Sequence, residues 1–136
     1  MISEQALHAE IAALLAGTQT AGFMGIGIDI ETNRSVQPEA ARFFLTEGER
    51  EWLGRENRNT SPQTLLRLWT VKEAIMKADP ANTDKLLGDY MLENPSQWRG
   101  NAYPRDRTFL RFQYSSVKLD QGFLSIAIAV KGELDA

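Results

Sequence analysis

The chain has 136 residues, 43% of them hydrophobic, and a formal charge of -3 at pH 7. That length suits one compact domain spanning 1–136, the charge gives no general attraction to nucleic acid, and the absence of cysteine excludes disulfides, thiolate metal sites and cysteine nucleophiles. No apolar run reaches membrane-spanning length, and Glu4, His8 and Glu10 interrupt the first segment too often for a signal peptide, so a cytoplasmic protein without membrane or nucleic-acid partners is expected.

In chain order, Ala6, Leu7, Ile11, Leu14 and Leu15 recur at helical spacing, which predicts an N-terminal amphipathic helix over 3–16 ending near Gly17. Phe23 to Glu31 alternates as a strand. Met24, Ile26, Ile28 and Ile30 share one face, expected to seat in the core, while Gly25, Gly27, Asp29 and Glu31 share the other, left open for an approaching ligand. A short helix is expected at Pro38 to Phe44, and Thr46-Glu47-Gly48-Glu49 reads as a capping box for the next helix, with Trp52 and Leu53 as its apolar contacts. After a polar break at 57–61, Ser61-Pro62 starts a helix that runs to about Ala78, where Asp79-Pro80 stops it. Leu65, Leu68, Val71, Ile75, Met76 and Ala78 form its apolar arc. Lys72 lies inside the edge of that arc, so its stem must pack while its ammonium reaches an anion or water.

From Ala81 to Arg107 there is no clear periodicity, and Gly88, Pro95, Gly100 and Pro104 predict short pieces and a mobile or substrate-facing loop. Thr108 to Tyr114 and Phe123 to Val130 read as an antiparallel pair with a turn at Asp120-Gln121-Gly122 and an extended connection. The expected architecture is α+β, an antiparallel sheet backed by the long helix. Arg42, Arg50, Arg55, Arg58, Arg67, Lys72 and Lys77 concentrate basic groups mid-chain, either as solvated helix faces or as a binding patch.

Asp29 and Glu31, two apart on a strand, lie on one face, and two such carboxylates repel unless something positive sits between them. A third acid from the helix, Glu73, would complete an all-oxygen site of the kind magnesium prefers. Lys77 sits one turn beyond Glu73. The pair is either an ordinary helix-surface ion pair or working machinery, with Glu73 as a base and Lys77 neutralising a phosphate. Spacing alone leaves both readings open, just as Asp-x-Glu alone is common at strand edges.

The order Gly27-Ile28-Asp29-Ile30-Glu31, then Phe43 to Leu53, then Leu68-Trp69-Thr70-Val71-Lys72-Glu73-Ala74-Ile75-Met76-Lys77-Ala78 resembles the 4'-phosphopantetheinyl transferase superfamily, with a weaker likeness at Leu119 to Phe123 and Ala127 to Val130. The resemblance implies transfer of the phosphopantetheine arm from coenzyme A to a serine of an acyl or peptidyl carrier protein, releasing 3',5'-ADP, in a fatty-acid or polyketide setting. It implies magnesium ligands at Asp29, Glu31 and Glu73, a base at Glu73, stabilisation of the departing phosphate by Lys77, and coenzyme A contacts from Lys72 and Lys77.

The Asp-x-Glu spacing resembles the larger two-lobed members, whereas the length resembles the small holo-carrier synthases that assemble into trimers. Only Met1 to Gly22 precede the first strand, so the first lobe with its His-Ser coenzyme-binding stretch is not matched, and a homo-oligomer, dimer or trimer, is expected to supply the missing wall. Ala78-Asp79-Pro80-Ala81-Asn82-Thr83 departs from the glycine-containing stretch the family carries there. The competing reading is a non-catalytic carrier-binding or scaffolding member of the same fold. A magnesium phosphohydrolase of another kind is a third, which leaves the long motif unexplained.

Overall fold

The computed structural model describes residues 3–16, 22–56, 62–106 and 109–132. Its elements are α1 (Glu4–Ala16), β1 (Phe23–Thr32), a single 3-10 turn at Pro38–Ala40 leading into α2 (Ala41–Phe44), α3 (Glu47–Glu56), α4 (Pro62–Ala78), a 3-10 turn at Leu87–Asp89, then β2 (Tyr90–Leu92), β3 (Arg99–Pro104), β4 (Leu110–Leu119) and β5 (Gly122–Lys131). The five strands form one antiparallel sheet in the order β1-β5-β4-β3-β2, which leaves β1 at an edge. Mixed helix and antiparallel sheet is the fold class read from the sequence. The break at 57–61, Ser61 as helix cap and the end of α1 at Gly17 lie outside the described residues.

α4 lies across β1 and β5, and small side chains explain its closeness. On that face β1 presents Gly25, Gly27, Asp29 and Glu31, opposite Ala129, Ala127, Ser125 and Phe123 of β5. A methyl on Gly25 would overlap the Ala78 carbonyl oxygen, and one on Gly27 the Ala74 carbonyl oxygen. The helix backbone therefore rests directly on the strand. This overturns the expected facing of β1: the glycine face is the one covered, and Met24, Ile26, Ile28 and Ile30 remain 37–55% exposed on the other side. Hydropathy marks large apolar side chains as interior, but here the interior position is one that admits no side chain.

Between α4 and the sheet, Leu65, Leu68, Val71 and Ile75 meet Phe44, Tyr90, Phe112, Tyr114, Ala127 and Ala129. Edge-on ring pairs, Phe44 with Trp69 at 5.1 Å and Tyr90 with Phe112 at 5.5 Å, fill the two ends. On the opposite face α1 sets Leu14, Leu7 and Ile11 against Leu119, Leu124, Ile126 and Ile128. Arg99 Nη2 fastens it, donating to both Glu10 carboxylate oxygens at 2.9 Å, while Ser115 Oγ donates to Glu10 at 2.5 Å.

Two other expectations change. The hairpin connection is tight, because β4 continues to Leu119 and pairs it directly with Gly122. The stretch after α4 is pinned rather than loose: Asp79 accepts from Ala81 N at 2.8 Å, Lys85 Nζ at 3.1 Å and Tyr90 Oη at 2.8 Å. Further on, Arg67 donates to the Pro95 carbonyl at 2.7 Å and the Gln97 carbonyl at 3.2 Å, with its guanidinium 5.0 Å over the Trp98 ring. Long-range partners, invisible to periodicity, fix this segment. Among the described residues no helix is long and apolar enough to cross a membrane.

Candidate active site

Strand β1 and helix α4 place the sequence-predicted acids along one edge. Asp29 is buried, and its Oδ1 accepts from Lys77 Nζ at 2.9 Å, while the same ammonium donates to the Ile28 carbonyl at 3.2 Å. Lys77 thus reaches across to the strand. Glu31, two positions on, holds Arg34 at 3.4 Å, and the Arg34 guanidinium lies 5.2 Å over the Trp69 ring. Glu73 is half-buried between these groups. Burial first, then the charges of Asp29 and Glu31, push its pKa above the ordinary glutamate value, against the opposing pull of Lys77 and Arg34.

These effects show that Asp29, Glu31, Glu73, Lys77 and Arg34 share one electrostatic neighbourhood. Asp29 Oδ2 is buried and lacks a hydrogen-bond partner among the described residues. A buried carboxylate oxygen without a donor is costly unless a cation or donor meets it. Among the described residues, no three Asp, Glu, His or Cys side chains are gathered into a ready metal cage. Magnesium keeps several waters and uses one or two carboxylates, so an all-oxygen edge with one unpartnered acceptor suits its chemistry without a cage.

Lys72 is placed elsewhere. Its side chain is fully buried, with Nζ 2.7 Å from Glu49 Oε1 and a further hydrogen bond to the Tyr90 carbonyl. Burial draws its pKa below lysine's ordinary value although Glu49 pulls the other way. The anion it reaches is therefore the protein's own, and the structure does not bring it to the acidic edge where a coenzyme phosphate contact was expected. Glu49 is the residue that sequence reasoning missed here. The capping box is present as expected, with Glu49 N donating to Thr46 Oγ1 at 3.1 Å and Thr46 N to Glu49 Oε1 at 2.8 Å. The same carboxylate also accepts from Leu92 N at 2.8 Å, and that third use has no local signal. With Arg67 and Lys72 both buried, the mid-chain basic residues do not form one patch. Arg42 instead sits 4.9 Å over the ring of Phe43, which is 66% exposed.

The family model described as the 4'-phosphopantetheinyl transferase superfamily matches residues 25–129. No curated protein is similar to the chain by sequence alone. The fold is shared with the holo-[acyl-carrier-protein] synthase of Thermotoga maritima, at a TM-score of 0.61 and 17% identity, covering 82% of this chain and 65% of that one. It is also shared with a holo-(acyl-carrier-protein) synthase from Bacillus anthracis solved in complex with CoA (3',5'-ADP), at 0.64 and 20% identity, covering 83% of this chain and 100% of that one.

Proposed function

Since the chain belongs to the 4'-phosphopantetheinyl transferase superfamily, we propose that it transfers the phosphopantetheine arm of coenzyme A to a serine of an acyl or peptidyl carrier protein, with magnesium. The observation that carries this reading is the meeting of Asp29 and Glu31 from β1 with Glu73 and Lys77 from α4 on one edge. Asp29, Glu31 and Glu73 are the carboxylates from which magnesium would draw one or two direct ligands and, through its waters, the rest, and when bound it would supply charge neutralisation to the pyrophosphate.

The chain's own groups do the rest. Glu73, with its raised pKa, takes the proton of the serine hydroxyl. The serine oxygen bonds to the phosphorus carrying the pantetheine arm, the P–O bond to the departing nucleotide breaks, and 3',5'-ADP leaves with the electron pair. Lys77 meets that developing charge, and Asp29 holds its ammonium in position at 2.9 Å. Arg34, held by Glu31 at the end of β1 and lying over Trp69, offers an acidic carrier a cationic landing, and Arg42 over the exposed Phe43 offers a second one on α2. The bare stripe of Ile26, Ile28 and Ile30 favours self-association, as a dimer or trimer, within the cytoplasm.

Incubation with coenzyme A, magnesium and a panel of apo carrier proteins tests the reading by intact mass. The expected result is one added phosphopantetheine on a carrier serine. No addition across the panel, together with no coenzyme A binding, would leave the non-catalytic carrier-binding member of the fold.

A further inference from the structure

Beyond Glu31 the chain turns and builds a second wall beside the acidic edge. Asn33 takes a left-handed backbone, with φ at 56°, and its N–H donates to the Gln121 carbonyl at 2.8 Å, which ties the exit of β1 to the turn between β4 and β5. Gly122, at the start of β5, lies so close that a methyl on it would overlap the Glu31 carbonyl oxygen. Between this wall and the first turns of α4 is a hollow of about 270 Å³, with Asn33, Arg34, Gln63, Lys118 and Asp120 in its lining. That is below the range of whole small-molecule sites, so it suits one group of a larger partner.

Charge selects the group. Arg34 lines the hollow and also reaches Glu31 at 3.4 Å, so the hollow and the acidic edge share that side chain. Lys118 is the cation to spare. Its ammonium rests 4.9 Å over the Phe123 ring, and it makes no ion pair among the described residues. Even with Asp120 in the lining and Arg34 shared with Glu31, Lys118 leaves a positive charge unmet, which suits an acidic group. The Phe123 ring also touches Trp98, at 5.7 Å between centroids; Trp98 is 44% exposed and is held by Ser116, whose N and Oγ donate to its carbonyl at 2.7 and 3.0 Å. A fixed, exposed tryptophan beside cations has the composition of a protein-binding anchor.

Direction decides between the coenzyme and the acceptor. Lys77 and Trp69 lie one turn to either side of Glu73 on α4, with Lys77 on Asp29 and Trp69 under Arg34. In phosphoryl transfer the attacking and leaving oxygens stand roughly in line, on opposite sides of the phosphorus. With Lys77 on the departing nucleotide, the acceptor comes in from the Arg34 end, where the hollow, Lys118 and Trp98 lie.

We infer that this surface recognises the carrier protein, with Lys118 and Arg34 closing the hollow on an acidic side chain of the carrier and Trp98 packing beside it. The inference rests on the transferase reading above and adds to it a contact on the β4–β5 hairpin that selects the acceptor.

Steady-state loading of a carrier that the wild-type chain modifies, with the carrier concentration varied, would be compared for wild type, Lys118→Glu, Lys118→Arg and Lys131→Glu, alongside calorimetry of coenzyme A binding to each. Lys118 and Lys131 are both exposed, at opposite ends of the hairpin, so the two glutamate variants change net charge alike and leave the core untouched. Lys118→Glu should raise the KM for the carrier at least about tenfold while kcat and coenzyme A affinity stay within about twofold of wild type. Lys118→Arg, which keeps the charge, and Lys131→Glu, which changes it elsewhere, should each leave that KM within about twofold. A carrier KM unchanged in Lys118→Glu, or raised as much in Lys131→Glu, overturns the recognition site alone. Weakened coenzyme A binding in Lys118→Glu also overturns it, giving the hollow to a coenzyme phosphate. A wild-type chain that loads no carrier of the panel overturns the transferase reading and this inference with it.

Discussion

Replacing Lys72 by methionine separates two accounts of that residue. Its ammonium is fully buried, 2.7 Å from Glu49 Oε1, and Glu49 is itself only 3% exposed, with two backbone N–H groups also donating to it. Methionine keeps the volume and removes the charge, leaving a buried carboxylate with backbone donors but no cation. Breaking a buried pair from one side costs about 3–5 kcal/mol, a large part of the roughly 5–15 kcal/mol that holds a domain of this kind together. At roughly 4 °C per kcal/mol for a chain of this size, the unfolding midpoint should fall by about 10–20 °C. Glu49→Gln should cost a similar amount, because its new NH2 group faces a donor as well as stranding Lys72. The pair Glu49→Gln with Lys72→Met should cost less than the sum of the singles by about 2 kcal/mol or more. Thermal unfolding followed by circular dichroism reads all three variants. Coenzyme A affinity of Lys72→Met, measured below its midpoint, should stay near wild type. A stable Lys72→Met that loses coenzyme A binding would refute the buried-pair account and restore the phosphate contact that the family resemblance implies.

Glu73→Gln should fold with wild-type stability to within about 1 kcal/mol while carrier loading drops by at least about 10²-fold, as mass spectrometry of the carrier would show. Because burial and the neighbouring acids raise the Glu73 pKa, in the metal-free wild-type chain this base loses its proton at a higher pH than an ordinary glutamate does. The wild-type rate should decline as pH falls through the pKa of this base, and the residual rate of Glu73→Gln should lack this limb. Glu10 shifts the other way: burial would raise its pKa, but the Ser115 and Arg99 hydrogen bonds together with the Arg99 charge bring it below the ordinary value. Its contribution to stability is therefore full above the ordinary glutamate value and is lost as pH falls through the lowered one. Glu10→Gln should cost about 1 kcal/mol or less at pH 7 and lower the protection of the α1 amides, relative to their intrinsic exchange at the same pH, below that of wild type. Gly27→Ala should cost about 1–3 kcal/mol, since its methyl must displace α4, and carrier loading should fall by more than the unfolded fraction explains.

Legibility followed the range of the interactions. The capping box at Thr46 and Glu49, the course of α4 to Ala78 and the alternation of β1 are set within a few residues and were readable as such. The facing of β1 was not, because it depends on Ala74 and Ala78 arriving against Gly27 and Gly25 from some fifty positions away. Strands β2 and β3 were hidden for a similar reason: β2 has three residues, and Arg67 and Tyr114 organise the connection between them from distant elements. At the site, the resemblance picked out Asp29, Glu31, Glu73 and Lys77, which the fold brings to one neighbourhood. Spacing did suggest that Lys72 needed an anion. Only the folded chain shows that Glu49 supplies it.

The two glycines beneath α4 also work as a gauge. Because main chain touches main chain at Gly25 and Gly27, the spacing between the strand and helix backbones, from which the charged side chains of the edge extend, is set by direct contact and does not depend on any rotamer. Repacking elsewhere in the interior would leave that clearance as it is, whereas a single added carbon at either contact would reset it for every charged group along the edge.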